Sequence, residues 1–271
     1  MTTKNFAYRY LAYLLAAFLC LGTSLNARAL SSFPDETLNY EVVYHWGMIW
    51  KHAASAQLSI SNNGNYYNTS LTAHTRSWAD KLYKVRDTLT CRIQKDGLKP
   101  LKYVKTSHEG KHYGKDIVEY SYSDGYSSAN CTVIRQDRET RYVKLQAPGQ
   151  AYDMLSVFYF LRTLNYDTFK KNGVIKSTVF SGKRKENVTV KYHKVEHVEM
   201  RDGSKQIAHH ISFTFTQDGQ TKSSDDIDCW ISTDSRHIPL VIKGSLPVGE
   251  VRVFYVKSLV CIRQAQCKNI L

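Results

Sequence analysis

The segment from His108 to His112 reads His-Glu-Gly-Lys-His and matches the zinc-protease pattern. In such enzymes two histidines one helical turn apart bind the metal, and the glutamate activates water. Here strand-like residues stand on both sides, Gly110 and Gly114 favour a turn, and no third ligand follows at a recognisable spacing. We therefore expect a solvated loop. A metal site at His108 and His112, or catalysis there, is the alternative.

Two further pairs of histidines lie in segments that alternate as strands. His193 and His197 would share a face about 13 Å apart, so they cannot bind one metal as a pair. His209 and His210 would project to opposite faces, so only one of them could join a site. No nucleophile elbow, phosphate loop, dinucleotide fingerprint or Cys-x-x-Cys metal pair occurs. We predict a protein without catalysis or cofactor; a hydrolase of unknown type is the alternative.

The turn over residues 46–50 is apolar, although a turn between two strands is usually polar. It could form an exposed rim for a ligand. It could also fold back over the end of a barrel as a plug, which is the interpretation we favour. The side chains that we predict to contact an apolar or lipid-like ligand are Trp46, Met48, Trp50, Phe158, Trp230 and Arg236.

The first 29 residues predict a cleavable secretory signal. Lys4 and Arg9 precede an apolar run over 11–21, and Ala27-Arg28-Ala29 supplies the small-x-small pattern of a cleavage site. The run is shorter than the about 20 residues of a bilayer span, so we do not expect an integral membrane protein. We expect cleavage after Ala29, a periplasmic location and a single β-rich domain over 30–271.

The chain has a formal charge of +13, and losing the signal's Lys4, Arg9 and Arg28 leaves +10. This surplus favours anionic envelope components such as lipid headgroups as partners. Solubility alone is the other explanation, and the one we favour. Nucleic acid is not expected, because the chain is exported and no recognition motif occurs. The oligomeric state stays open, and a protein-interaction scaffold is a second alternative function.

Five cysteines follow the signal, an odd number for a compartment where disulfides persist. They are Cys91, Cys131, Cys229, Cys261 and Cys267. The last two are close in sequence and form our preferred disulfide. We interpret the other three as buried, inert thiols.

Segments rich in Tyr, Val, Thr and Ile alternate between turn signals such as Asp124-Gly125, which is typical of antiparallel hairpins. The predicted strands are 37–46, 52–61, 66–77, 82–94, 98–107, 115–123, 129–136, 139–145, 174–181, 187–198, 205–216, 226–232, 238–245 and 249–260. The fold class is therefore mostly β, a single curved antiparallel sheet or open β-barrel.

One segment departs from this pattern. Asp153 is placed to cap a helix, which would end before Asn172-Gly173. Apolar residues recur at helical spacing, and Leu155, Tyr159 and Phe160 make the other face apolar as well. The sheet is therefore predicted to enclose one buried α-helix.

Several pieces together resemble the uncharacterised exported family called domain of unknown function 3108, found in envelopes of Gram-negative bacteria. They are the strand Leu38-Asn39-Tyr40-Glu41-Val42, Trp46-Gly47, a strand from Ala54 to Ile60, the segment from Asp153 to Arg162, and the hairpin from Cys229 to Leu240. The family's usual glycine-alanine-glycine turn is replaced here by Met48, Ile49, Trp50, Lys51 and His52.

The resemblance implies a curved antiparallel sheet around a helix, similar in outline to periplasmic lipoprotein carriers, and no established reaction. The residues of the last hairpin also have a structural interpretation. Asp234 can accept backbone amides in the turn, Arg236 can pair with it or cover the strand edge, and Pro239 suits the start of a strand.

Overall fold

The computed structural model describes residues 32–221 and 223–257. Alternation of buried and exposed side chains, as at Ala54, Ala56, Leu58 and Ile60, places one face of each strand in the core. The fifteen strands are β1 (Glu36–Trp46), β2 (Ile49–Asn63), β3 (Tyr66–Thr75), β4 (Val85–Gln94), β5 (Pro100–Glu109), β6 (His112–Ser123), β7 (Tyr126–Arg135), β8 (Arg138–Pro148), β9 (Ala151–Tyr152), β10 (Val174–Phe180), β11 (Lys185–Glu199), β12 (Lys205–Gln217), β13 (Ile227–Ser232), β14 (Pro239–Ser245) and β15 (Glu250–Val256).

These strands form one nearly closed, barrel-like sheet in the order β8-β7-β6-β5-β4-β3-β2-β1-β15-β14-β13-β12-β11-β10-β9. All neighbours are antiparallel except β9 and β10. At the seam the hydroxyl of Tyr120 donates to the Tyr152 carbonyl across 3.0 Å, which ties β6 to β9. Within the described ranges, no helix is long and apolar enough to cross a membrane.

The predicted fold class is confirmed, and every predicted strand overlaps an observed one. Three elements were not predicted: β9, a 3-10 helix (Asp96–Leu98) and the helix α1 (Ser77–Tyr83). The predicted strands 66–77 and 82–94 wrongly extended over the ends of α1. Contacts with the sheet stabilise α1: Trp78 Nε1 donates to the His52 carbonyl at 2.8 Å, and Arg86 binds Asp80 at 2.7 Å.

The predicted single helix is in fact two, α2 (Ser156–Arg162) and α3 (Tyr166–Asn172). The break arises because Asn165 leaves the helical conformation and its side chain caps α3 by accepting the Thr168 amide at 3.0 Å. As predicted, α2 is buried nearly all round.

Asp153 closes the first turn of α2, as its sequence position suggested. Its carboxylate accepts the amides of Leu155 (2.8 Å) and Ser156 (3.1 Å), while the Ser156 hydroxyl accepts the Asp153 amide. This reciprocal arrangement satisfies amides that the helix leaves without partners. Complete burial raises the pKa of Asp153, although these hydrogen bonds, and one from the Cys91 thiol, oppose the rise.

At the other end of α2, Arg162 is 1% exposed and forms an ion pair with Glu36 at 2.7 Å. Its Nε donates to the Arg236 carbonyl at 3.1 Å, and its guanidinium lies over the rings of Phe33 and Phe158. Arg236 in turn binds the second oxygen of Glu36 at 2.9 Å. One carboxylate thus joins β1, α2 and the connection between β13 and β14.

The three cysteines inside the described ranges, Cys91, Cys131 and Cys229, are free and buried, as predicted. Burial raises the pKa of the Cys131 thiol to about 12 and those of Cys91 and Cys229 as well, which keeps all three protonated and unreactive. The predicted Cys261–Cys267 disulfide and the signal at 1–29 lie outside the described residues.

Replacing Glu36 should destabilise the protein strongly. In Glu36→Gln the Arg162 charge stays buried without its carboxylate, so we expect the free energy of unfolding to fall by about 3 kcal/mol or more. Urea denaturation measures this loss. Glu119→Gln removes the exposed Lys102–Glu119 pair and is the control, with an expected change below about 0.5 kcal/mol. Equal effects of the two substitutions would contradict the assignment.

His209 connects stability to pH. Its ring stacks on Tyr166 with 4.3 Å between centroids, and Nδ1 lies 3.2 Å from the Tyr192 hydroxyl. Burial, with a smaller contribution from His237, lowers the pKa of His209 from 6.5 to about 4. The unfolded chain therefore binds the proton more readily, and this contribution to stability, present above pH 6.5, is lost as the pH falls towards 4.

We expect His209→Gln to lose less stability than the wild type between pH 6.5 and 4, because one group that must take up a proton on unfolding is absent. Urea midpoints at several pH values provide the measurement. Exposed His197→Gln serves as the control and should keep the wild-type slope. If the urea midpoint of His209→Gln changes with pH as the wild-type midpoint does, another group dominates the pH dependence of stability.

Candidate functional site

The hairpin that joins β1 to β2 carries a group of exposed apolar side chains, which we call the tip. Trp46 is 55% exposed, Met48 98%, Ile49 51% and Trp50 40%. The expectation that these residues plug the barrel was wrong, because strand pairing continues to Trp46 and Ile49 and carries the turn beyond the core.

The tip is braced by the turn between β14 and β15. The Tyr44 hydroxyl donates to the Val248 carbonyl at 2.9 Å, and His45 Nδ1 lies 3.2 Å from Glu250. Gly249, at φ +81°, lies so close that a Cβ there would be 2.2 Å from the His45 carbonyl oxygen. The tip is therefore held in place by packing although its side chains are exposed.

Cations flank the tip. The Arg252 guanidinium lies 4.6 Å from the centre of the Trp50 ring, and the His45 ring stacks on the same ring with 3.8 Å between centroids. Lys51 is exposed and lies 4.1 Å from the centre of the Trp78 ring. Two cations thus lie beside the apolar surface, and Arg252 is also paired with Glu250 at 2.7 Å.

Other exposed apolar side chains lie at this same end of the barrel, here called the tip end. Since neighbouring strands are antiparallel, the turns after β5, β10 and β14 reach the same edge of the sheet as the tip. Leu82 of α1 (74% exposed) and Val248 (57%) lie there too. Six of the twelve exposed large apolar side chains in the described ranges therefore belong to the tip end.

A charged cavity of about 370 Å³ opens inside the barrel at the tip end. It lies between β5, β6, β7 and the turn that joins β10 to β11. Its charged lining residues are Lys105, Glu109, Asp116, Arg135, Lys183, Arg184 and Glu186. Such a lining suits a polar or ionic ligand better than an apolar one.

Most of these charges are paired. Arg135 binds both oxygens of Asp116 at 2.7 and 2.8 Å, and Arg184 binds Glu186 at 3.0 Å. Lys105 lies 3.5 Å from Glu109 and 3.6 Å from Asp87. Burial raises the pKa of Asp87, although Lys105 opposes the rise.

Lys183 differs from these residues, because it forms no ion pair with any residue of the described ranges. Desolvation and the nearby cations Arg135, Lys105 and Arg184 lower its pKa, while Asp116 raises it. At the cavity floor the Tyr103 hydroxyl is buried and has no hydrogen-bond partner in the described structure. A free ammonium and an unpartnered hydroxyl are groups that an anionic ligand could satisfy.

Gly182 shapes one wall of the cavity. Its φ is +91°, and a Cβ there would be 2.7 Å from the Asp116 Cβ. The turn before Lys183 therefore packs directly on β6 from across the seam.

The zinc-protease pattern does not form a metal site. Glu109 ends β5 and His112 begins β6, so only Gly110 and Lys111 form the turn, and the loop is shorter than the five residues predicted. Glu109 lies opposite His112 in the register of β5 and β6 and faces the cavity, whereas His108 lines a groove on the other face of the sheet. The two histidines therefore cannot share one ion.

The six predicted ligand contacts do not form one site. Trp46, Met48 and Trp50 lie together at the tip. Phe158 is 3% exposed in the core, and Trp230 lies on the outer face of β13 against His210. Arg236 covers Glu36, whereas Asp234 accepts the Arg236 amide and Pro239 begins β14, as the turn chemistry suggested.

The sequence analysis missed the cavity residues because these residues come together only where the turn between β10 and β11 meets β5, β6 and β7 across the seam of the barrel. Lys183 and Asp116 are far apart in sequence, and no motif joins them. The alternation of Tyr103, Lys105, Ser107 and Glu109 could have signalled a strand with a polar inner face.

Fold and site together define a β-barrel-like protein with one apolar, cation-flanked end. A similar solved structure is described as the crystal structure of a beta-barrel-like protein of domain of unknown function DUF1849 from Brucella abortus. The two share 14% identity with a TM-score of 0.55, over 83% of this chain and 97% of that one. This similarity concerns the fold alone.

The family described as protein of unknown function (DUF3108) matches residues 39–256, so the chain belongs to that family. The resemblance noted in the sequence is thereby confirmed. The comparison with curated proteins finds no match.

Gly182→Ala should destabilise the protein more than Gly203→Ala. Both positions have positive φ, but a Cβ at Gly203 meets open space and one at Gly182 collides with Asp116. The additional loss in free energy of unfolding should be about 1–3 kcal/mol, measured by urea denaturation. Equal losses would mean that the turn does not pack on β6.

Proposed function

We propose that this protein is an exported, non-enzymatic binding protein of the periplasm that docks on anionic lipid surfaces of the cell envelope through its tip end. The observation that carries the proposal is the exposed apolar tip, Trp46 to Trp50, with cations beside it. Tryptophan is favoured at the interface between lipid and water, and nearby Lys and Arg are attracted to anionic headgroups.

A lipid-like ligand would contact the end of the barrel and not its deep interior, since α2 and the aromatic core pack that interior. The charged cavity also supports docking with the tip end towards the lipid surface. Lys183 at its mouth offers an unpaired cation to an anionic headgroup at the end where the tip would enter the lipid.

Binding to vesicles tests the proposal. We expect the purified protein to co-sediment with vesicles of phosphatidylcholine and phosphatidylglycerol, and more weakly with phosphatidylcholine alone. Met48→Ser/Ile49→Ser should weaken binding by about tenfold or more, because each side chain loses burial worth about 1 kcal/mol or more. Lys51→Gln should weaken binding about fivefold and only to the anionic vesicles.

The matched control is Val195→Ser/Ile207→Ser, which removes two apolar side chains of 46% and 52% exposure from β11 and β12, away from the tip. It should bind as the wild type does. Loss of binding in both double variants, or no vesicle binding by the wild type, would overturn the proposal.

A further inference from the structure

Three side chains with metal-binding atoms meet on the outer face of β11, β12 and β13. They are His193, His210 and Asp228, and one ligand atom from each lies within 4.8 Å of the others. His210 Nε2 is 2.9 Å from Asp228 Oδ1, and the rings of His193 and His210 are 4.5 Å apart. This cluster is separate from the tip and from the charged cavity.

A β-bulge creates the cluster. The register of β11 on β12 shifts between Tyr192 and Lys194, which leaves His193 without a direct partner. A bulge re-aims the extra side chain. His193 Nε2 consequently lies 2.8 Å from Ser212 Oγ, and Ser212 pairs directly with Asp228 on the next strand.

His210 has the surroundings of a metal-binding histidine. Its Nδ1 is buried and lies 3.0 Å from Glu196 Oε1, although no hydrogen bond of regular geometry joins them. Glu196 is itself held by Lys194 and by Trp230 Nε1, each at 3.0 Å. A carboxylate beside one ring nitrogen fixes the proton there and leaves the other nitrogen, Nε2, to bind a metal.

We propose that His193, His210 and Asp228 form a binding site for a divalent transition-metal ion such as Zn²⁺. Two imidazoles and one carboxylate suit zinc, with water or the Ser212 hydroxyl in the fourth position. Zinc ligands at about 2.0 Å stand about 3.3 Å from one another, so the widest separation in the cluster, which is within 4.8 Å, must shorten by at most about 1.5 Å. Exposed His193 can supply that movement by rotating its side chain.

Calorimetric titration of the purified full chain with Zn²⁺ tests the site. His193→Ala and Asp228→Asn should each weaken one binding event by about tenfold or more. The matched control is His197→Ala, on the same strand four residues away, and it should leave that event unchanged. His108→Ala/His112→Ala should also leave it unchanged, because those histidines lie on β5 and β6, in another part of the sheet. Since His193 is exposed, urea denaturation should show that His193→Ala stays folded.

Tryptophan fluorescence gives a local readout. The Trp230 ring stacks on His210 at 4.6 Å, so bound Cu²⁺ should quench its emission. Quenching should decrease in His193→Ala and in Trp230→Phe. The proposal is overturned if the wild type does not bind Zn²⁺, if His193→Ala and Asp228→Asn bind it as the wild type does, or if Trp230→Phe is quenched as strongly.

Discussion

The ion pair between Arg162 and Glu36 is the interaction on which the rest of the fold depends. The interior of a barrel of this size must be filled by side chains, and α2 supplies them. A helix that is apolar on every face has no intrinsic orientation, because many rotations bury it equally well. A single buried guanidinium removes this freedom, since its charge must meet the carboxylate on β1. The other end of α2 is fixed by the carboxylate of Asp153.

The two ends of the barrel therefore have different chemistry. Where Arg162 meets Glu36, ionic groups are enclosed and matched to one another. At the tip end the ionic groups of the cavity reach solvent, the Lys183 ammonium forms no ion pair within the described ranges, and apolar side chains face outward. The end with Arg162 fixes the helix, whereas the tip end presents apolar side chains to solvent.

Local rules predicted most of the fold and little of the site. Strand positions followed from alternation and turn residues, and Asp153 was identified as the cap of α2 because capping depends on residues close in sequence. Contacts that join distant strands could not be predicted, as with Lys183 and Asp116 or with Trp230 and His210. The bulge at His193 is invisible in the pattern, because one inserted residue moves a side chain without changing the composition. Exposure of the tip was misjudged because residue type alone favours burial of tryptophan.

The order of the strands has a consequence for how the protein folds. In the described sheet each strand pairs with its neighbour in sequence, except that β8 and β9 lie at opposite edges and β1 pairs with β15. Two meanders, β1 to β8 and β10 to β15, can therefore assemble from local hairpins at a small cost in loop entropy. The pairing of β1 with β15, which brings together residues far apart in sequence such as His45 and Glu250, then joins the two meanders. We infer that docking of the two meanders is the slow step of folding, and that the Arg162–Glu36 pair, which also spans both halves, forms with it.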